Sequence, residues 1–258
     1  MGVVNVTPDS FSDGGTHLDP EVAAAAARRM LEEGAAIVDV GGESTRPGSQ
    51  GVSAHEELAR VQPVLEALRG DVPVSIDTTK AEVAERALEL GAEMVNDVTA
   101  LQADARLAGV VAEARCYLCL MHMKGEPRTM QVDPTYDDVV AEVRAFLEER
   151  LAFAVAAGIA EERICLDPGI GFGKTVEHNF ELVRRLDGLV AIGRPILVGL
   201  SRKSSLGRIF GDQDATTGTT AASVGAAVAA YERGATIIRA HDVRKHVEAL
   251  TAAEAVWA

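Results

Sequence analysis

Eight short runs rich in β-branched and apolar residues alternate with eight longer stretches of helical period along the 258-residue chain, and that alternation leaves few folds open. The runs fall at 2–6, 36–40, 73–76, 94–98, 116–121, 163–166, 196–199 and 236–239. The helical stretches fall at 20–33, 54–69, 80–90, 104–114, 136–157, 178–186, 217–233 and 243–256. Successive strands separated by a helix pair in parallel, and parallel strands covered on both faces read as continuous apolar runs, as most of these do. Gly34, Gly70, Gly91, Gly158, Gly188 and Gly234 each stand just past a helical stretch, where a residue free to take positive φ ends a helix cheaply. Eight βα units predict an α/β fold, a (β/α)8 TIM barrel in a single domain over 1–258, with a doubly wound open sheet as the competing architecture. A chain of this size buries about 72% of its unfolded surface, enough for one large core without staples.

The placement of polar residues favours the barrel. Nearly every strand ends in one: Asn5; then Glu43 with Thr45 and Arg46; Asp77; Asn96 with Asp97; His122; Asp167; Arg202 with Lys203 and Ser204; Arg239 with His241. In a barrel these form one ring at the C-terminal mouth, whereas an open sheet gathers its ligands at a switch point. The loops after the first, second, fifth, sixth and seventh strands are long and rich in Gly, Ser, Thr and Pro, which suggests lids.

Several functions are excluded early. The formal net charge is −14, so nonspecific binding to a nucleic-acid backbone, which requires many cations, is not expected. No stretch approaches the ~20 uninterrupted apolar residues of a membrane span. Three cysteines make no disulfide framework and the start has no signal-peptide pattern, which points to the cytoplasm. Cys116 and Cys119 lie on opposite faces of one strand and read as core. Gly173-Lys174-Thr175 resembles the end of a P-loop, but Pro168 stands where the motif requires Gly. Taken singly, Asp77, Asn96 and Asp97 could be helix caps and Asp167 before Pro168 a turn. His55, His178 and His246 read as structural, while His17 and His122 are open.

As chemistry, Asp77, Asn96 and Asp167 together accept from and donate to a flat heterocycle with an amidine-like edge. Arg46 on one side and Lys203, Arg239 and His241 on the other are cations in an acidic protein, which suggests an anionic ligand group such as phosphate. Asn5 and the hydroxyls of the first loop are hard oxygen donors suited to Mg²⁺.

Seven segments in seven loops carry a resemblance: NVTPDSFSDGG at 5–15, GGESTRPG at 41–48, DTTK at 77–80, NDV at 96–98, DPGIGFG at 167–173, SRKS at 201–204 and RAHD at 239–242. Together, and in this order, they resemble the dihydropteroate synthase family of pterin-binding barrels. The resemblance implies condensation of 6-hydroxymethyl-7,8-dihydropterin diphosphate with 4-aminobenzoate, a reaction that sulfonamides inhibit in this family. It implies that Asp77, Asn96, Asp167 and Lys203 hold the pterin's edges, with Arg239 over its face and Met121 and Gly199 in the same pocket. It places Thr45, Arg46, His241 and Arg239 on the diphosphate, Asn5 on Mg²⁺, and Ser204, Pro47 and Phe172 around aminobenzoate. Asp77, Lys203 and Arg46 would be the catalytic residues, and the first loop, with Thr7, Pro8, Asp9, Ser10 and Phe11, would close over the diphosphate together with the second. The family also implies a homodimer, to which the small residues of 217–231 are suited. Family members usually carry an N-terminal hairpin before the first strand, which here begins almost at Met1, so the barrel base is expected to be less covered. A methyltetrahydrofolate-binding methyltransferase domain, which has no need of the diphosphate loop or the SRKS segment present here, and a non-catalytic pterin-binding paralogue, expected to have lost parts of the first two loops where Asn5, Asp9, Phe11, Thr45 and Arg46 are in place, are the other readings.

Overall fold

The computed structural model describes residues 1–7, 19–45, 49–126, 128–212 and 214–257. Eight parallel strands lie among these: β1 Gly2–Asn5, β2 Val38–Gly41, β3 Val74–Asp77, β4 Met94–Asp97, β5 Tyr117–Met121, β6 Ile164–Asp167, β7 Leu197–Val198 and β8 Ile237–Ile238. The first six pair in chain order and the last two with each other. Single bridges Leu166↔Ile196 and Gly2↔Ala240 join the two groups into a closed ring, which removes the open-sheet alternative. The helices are α1 Pro20–Glu32, α2 Ala54–Leu68, α3 Ala81–Glu89, α4 Leu107–Ala114, α5 Val139–Ala156, α6 Val176–Arg184, α7 Asp187–Val190, α8 Ser204–Arg208, α9 Thr220–Glu232 and α10 Val243–Trp257. The short α7 and α8 have too few residues to show a helical period and are additions to the eight helices expected from sequence.

Helix starts differ from the periodic stretches because capping decides them. Asp138 accepts from Val140 and Ala141, starting α5 after Tyr136, and Thr219 accepts from Ala222, starting α9 after Thr217. Asp104, expected to open α4, accepts instead from the backbone of Ala81 and from Arg106, so α4 begins at Leu107.

The register separates two apolar layers. Val38, Val40, Val74, Ile76, Val95, Leu118, Leu120, Ile164 and Leu166 face the helices in one large cluster. Met94, Cys119, Cys165 and Leu197 form a second, small cluster inside the barrel, with Cys116 outside it, as the opposite faces of the strand require. Two residues further along each strand, on the same inward face, stand Asn96, Met121 and Asp167. The barrel interior is therefore apolar at its base and polar at its mouth.

Asp97, expected in the polar ring or as a cap, points elsewhere. Its Oδ1 accepts from the N–H and hydroxyl of Thr99 and its Oδ2 from the N–H of Leu101. It thereby fixes a turn in which Ala100 and Leu101 take φ of 52° and 64°, a region that side chains disfavour. Replacing Asp97 with Ala leaves buried donors unpaired in a strained turn. It is expected to lower unfolding free energy by about 3 kcal/mol, read as a fall in the denaturant midpoint at constant slope.

Candidate active site

The strand register brings the sequence-predicted carboxylates together. Asn5, Gly41, Asp77 and Asn96 are successive partners across β1 to β4, and Asp167 lies beside Met121 on β6 and β5. Arg239, just after β8, reaches across the barrel: its Nε donates to Asp39 at 2.7 Å and its Nη2 to Asp77 at 3.0 Å. Asp77 is therefore not a helix cap; the N-cap of α3 is Lys80. Arg239, expected against the pterin and the diphosphate, is held by these two carboxylates at the floor of the mouth.

Asp39 is the member of this floor that the strand-end reading missed, because it stands inside β2 rather than at its end. A period-2 reading would have found it: Val38 and Val40 face the helices, which turns Asp39 inward, where an acid needs a partner. Its side chain is fully buried, and Oδ2 also accepts from Asn96 Nδ2 at 2.8 Å. That bond fixes the Asn96 amide and leaves its oxygen available to a ligand donor.

Burial sets the charge states. Burial, then the neighbouring Asp39, pushes the Asp77 carboxyl up to about 8 against the opposing pull of Arg239. Burial also raises Asp167, whose Oδ1 accepts from Gly169 at 2.7 Å, so the turn reading of this residue holds beside its place in the ring. Lys203 is brought down to about 8, first by burial and then by Arg239. Its Nζ lies 4.3 Å from the centroid of the Phe172 ring, over the face, and its side chain passes Gly171, where φ is +84° and a Cβ would come within 3.3 Å of it. Ser204 follows Lys203 as the first residue of α8, and Gly199, after β7, stands so that an added Cβ would only touch Arg239 at 3.9 Å.

His241 departs from the cation expected of it. Burial, then Arg202 and Arg239, lowers its pKa to about 3, so the ring is neutral at pH 7. Ser201 Oγ accepts from the His241 backbone N–H at 3.1 Å and shares a hydrogen bond with the ring at Nδ1, 3.0 Å away. His122 is likewise lowered to about 3 by burial and by Lys174, whose Nζ lies 2.8 Å from its Nδ1 and also donates to the carbonyl of Phe172. Lys174 is thus tied to the protein at both contacts. His178 completes the capping box of α6 and His246 bonds the Asp242 carbonyl, both structural as expected.

Asn5 ends β1, half-buried, with Thr7 buried beyond it, and Thr45 follows β2. Of the expected loop residues, Pro8, Asp9, Ser10, Phe11, Arg46 and Pro47 lie outside the described residues, as does His17. Among the described residues no group of three His, Cys, Asp or Glu could hold a metal ion.

A barrel with a carboxylate–guanidinium floor, a fixed carboxamide and a lysine at its mouth is suited to a flat, hydrogen-bonding heterocycle. Residues 1–241 match the family described as pterin binding enzyme, and the chain belongs to that family. Within it the chain groups with the dihydropteroate synthases. It is 49% identical over 260 residues to the dihydropteroate synthase of Neisseria meningitidis serogroup C, covering 99% of this chain and 92% of that one. The Xanthomonas albilineans dihydropteroate synthase solved with 4-aminobenzoic acid superposes with a TM-score of 0.91 at 48% identity, covering 100% of this chain and 92% of that one. The same enzyme in complex with 7,8-dihydropteroate gives 0.88 at 46% identity, with 100% and 92% covered.

The charge assignments have a direct check. Across pH 5 to 8 the ring-proton resonances of His241 and His122 are expected to stay flat, since both midpoints lie near 3. A midpoint above 7 for His241 would return it to the cations.

Proposed function

We propose that this chain is a dihydropteroate synthase, condensing 6-hydroxymethyl-7,8-dihydropterin diphosphate with 4-aminobenzoate to give 7,8-dihydropteroate and pyrophosphate. The observation that carries the reading is the Arg239–Asp39–Asp77 floor beneath Asn96, Asp167 and Lys203, in a chain alike along its length to enzymes of that name. In the reaction the amine nitrogen forms a bond to the pterin methylene carbon, the bond from that carbon to the diphosphate oxygen breaks, and the amine loses a proton. No protein nucleophile is required.

In this reading Asp77, Asn96, Asp167 and Lys203 hold the pterin's polar edges, with Met121 and Gly199 in the pocket wall. The Asp77 carboxylate stabilises positive charge developing on the methylene as the leaving group departs. Thr45, Arg46, His241 and Arg239 hold the diphosphate, with the His241 ring neutral, while Ser204, Pro47 and Phe172 line the aminobenzoate side. Thr7 to Phe11, with the second loop, would close over the diphosphate. Mg²⁺, when bound, supplies charge neutralisation on the departing pyrophosphate. The donor set fits that ion: Asn5 offers one hard oxygen at the mouth, and Mg²⁺ commonly takes its remaining ligands from substrate phosphates and water.

The reading extends to a cytoplasmic homodimer. Cys116, Cys119 and Cys165 are all free and buried, which suits a reducing compartment. Thr220, Ala221, Val224 and Gly225 of α9 line an open groove with Lys245, Glu248 and Ala249 of α10, a surface able to approach a second copy closely. Among the described residues no helix is long and apolar enough to cross a membrane.

The test is pyrophosphate release from the purified chain with dihydropterin diphosphate and Mg²⁺, with and without 4-aminobenzoate. Amine-dependent release with dihydropteroate formed is expected, and Lys203→Ala should depress it about 100-fold or more. Pterin binding without turnover would favour the non-catalytic or methyltransferase readings. A second expectation follows from Asp77. A ligand that donates to its carboxylate lowers its pKa, so at pH 7, below the starting value of about 8, binding releases a proton. Lys203, already largely protonated at pH 7, takes up little in return. Calorimetry with 6-hydroxymethyl-7,8-dihydropterin in buffers of different ionisation enthalpy should show net release approaching one proton; buffer-independent heats would contradict a raised Asp77.

A further inference from the structure

The segment between Gly41 and α2 carries Thr45 and Arg46, and its two limbs meet at one carboxylate. Glu43, on the outgoing limb, accepts through Oε1 from the backbone N–H of Val52 on the returning limb at 2.9 Å. The base of the segment has no slack: Arg60 donates to the Gly42 carbonyl at 2.7 Å, and a Cβ on Gly42 would meet Val61 at 2.7 Å. The other oxygen of Glu43 accepts from Lys80 Nζ at 2.7 Å. The same ammonium donates to Glu57 of α2 at 2.5 Å, a carboxylate whose side chain is 0% exposed.

Glu57 is an expensive residue to place there. Burial raises its pKa, and Lys80 is the main group that draws it back toward the ionised form. An apolar pair of similar volume would serve stability as well or better, so the arrangement calls for another reason. Position supplies one. Lys80 is the N-cap of α3, directly after the segment that begins with Asp77, and it holds Glu43, which spans the second loop. One side chain therefore connects the strand end assigned to the pterin with the loop assigned to the diphosphate.

We infer that Lys80 is a positioning residue that holds the diphosphate-binding loop in register with the pterin pocket, acting through Glu43 with Glu57 as its buried anchor. The inference rests on the reading of Thr45 and Arg46 as diphosphate ligands. Substrate contact at Lys80 is not required: its ammonium is occupied by the two carboxylates.

Lys80→Met is expected to raise KM for dihydropterin diphosphate about 10- to 100-fold, the scale on which small misplacements of a substrate-holding group act. Affinity for 6-hydroxymethyl-7,8-dihydropterin, which lacks the diphosphate, should change by less than about twofold, and Lys80→Arg should restore most of the loss. Because Lys80→Met leaves Glu57 buried without its partner, Glu43→Ala is the second variant: it keeps the Glu57–Lys80 pair and removes only the tie to the loop. It should show the same split between the two ligands. Equal losses for both ligands would make Lys80 a general structural residue and overturn the inference, as would an unchanged KM in Glu43→Ala. Thr45→Val separates the two levels of the argument. If it weakens the diphosphate substrate while Glu43→Ala and Lys80→Met do not, positioning alone fails; if none of the three does, the loop does not bind diphosphate.

Discussion

The Arg239 guanidinium, buried between Asp39 and Asp77, is the contact on which the mouth of this barrel depends. It joins residues 200 and 162 positions apart in the chain and ties the last strand to the second and third. The backbone alone secures that closure weakly: β7 and β8 are two residues each, and one bridge links the β8 side to β1. The contact also arranges its neighbours. Asp39 takes the Asn96 amide on the same oxygen that takes Arg239, so the orientation of a residue on β4 follows from a salt bridge between β2 and β8.

As a device for stability this floor is poor. Two carboxylates share one guanidinium, Asp39 Oδ1 is buried with no partner among the described residues, and burial, then Asp39, raises Asp77 to about 8 despite Arg239. Each deficit is of the kind that a bound molecule with hydrogen-bond donors would make good. Unmet need at one end of a barrel whose other end is apolar is a physical signature of a prepared site, and it coincides with the mouth where barrel enzymes hold their substrates.

The alternation of strands and helices, the closure into a barrel and most of the ring were legible in the sequence, because burial on both strand faces and polar strand ends leave direct marks on residue type. Helix starts were less legible where a cap outvotes periodicity, as at Asp138 and Thr219. What escaped was decided by which way a side chain points or by partners distant in the chain. Asp39 looks like an interruption of an apolar strand until the register turns it inward. His241 reads as a cation from its loop, and only burial beside Arg202 and Arg239 makes it neutral. Lys80 reads as the end of a motif, while its two partners lie 37 and 23 residues earlier, on different elements. The charge state of a site is a property of the assembled neighbourhood, and no single segment contains it.

That neighbourhood divides into two parts with different mechanical character. The side proposed for the pterin is made of strand ends whose spacing is set by the parallel ladder: Asp77 against Asn96, Met121 against Asp167. The side proposed for the diphosphate is carried on loops, which have no ladder to hold them and require side-chain ties instead. A reaction that expels a highly charged group needs both: rigid placement of the carbon where the bond breaks, and a cation-bearing loop brought to the oxygen that leaves. With the floor prebuilt and the loop anchored through Lys80, the pterin diphosphate would itself join the two parts when it binds. On the proposed assignment, the side of the mouth near Phe172 and Ser204 would then be left for the amine.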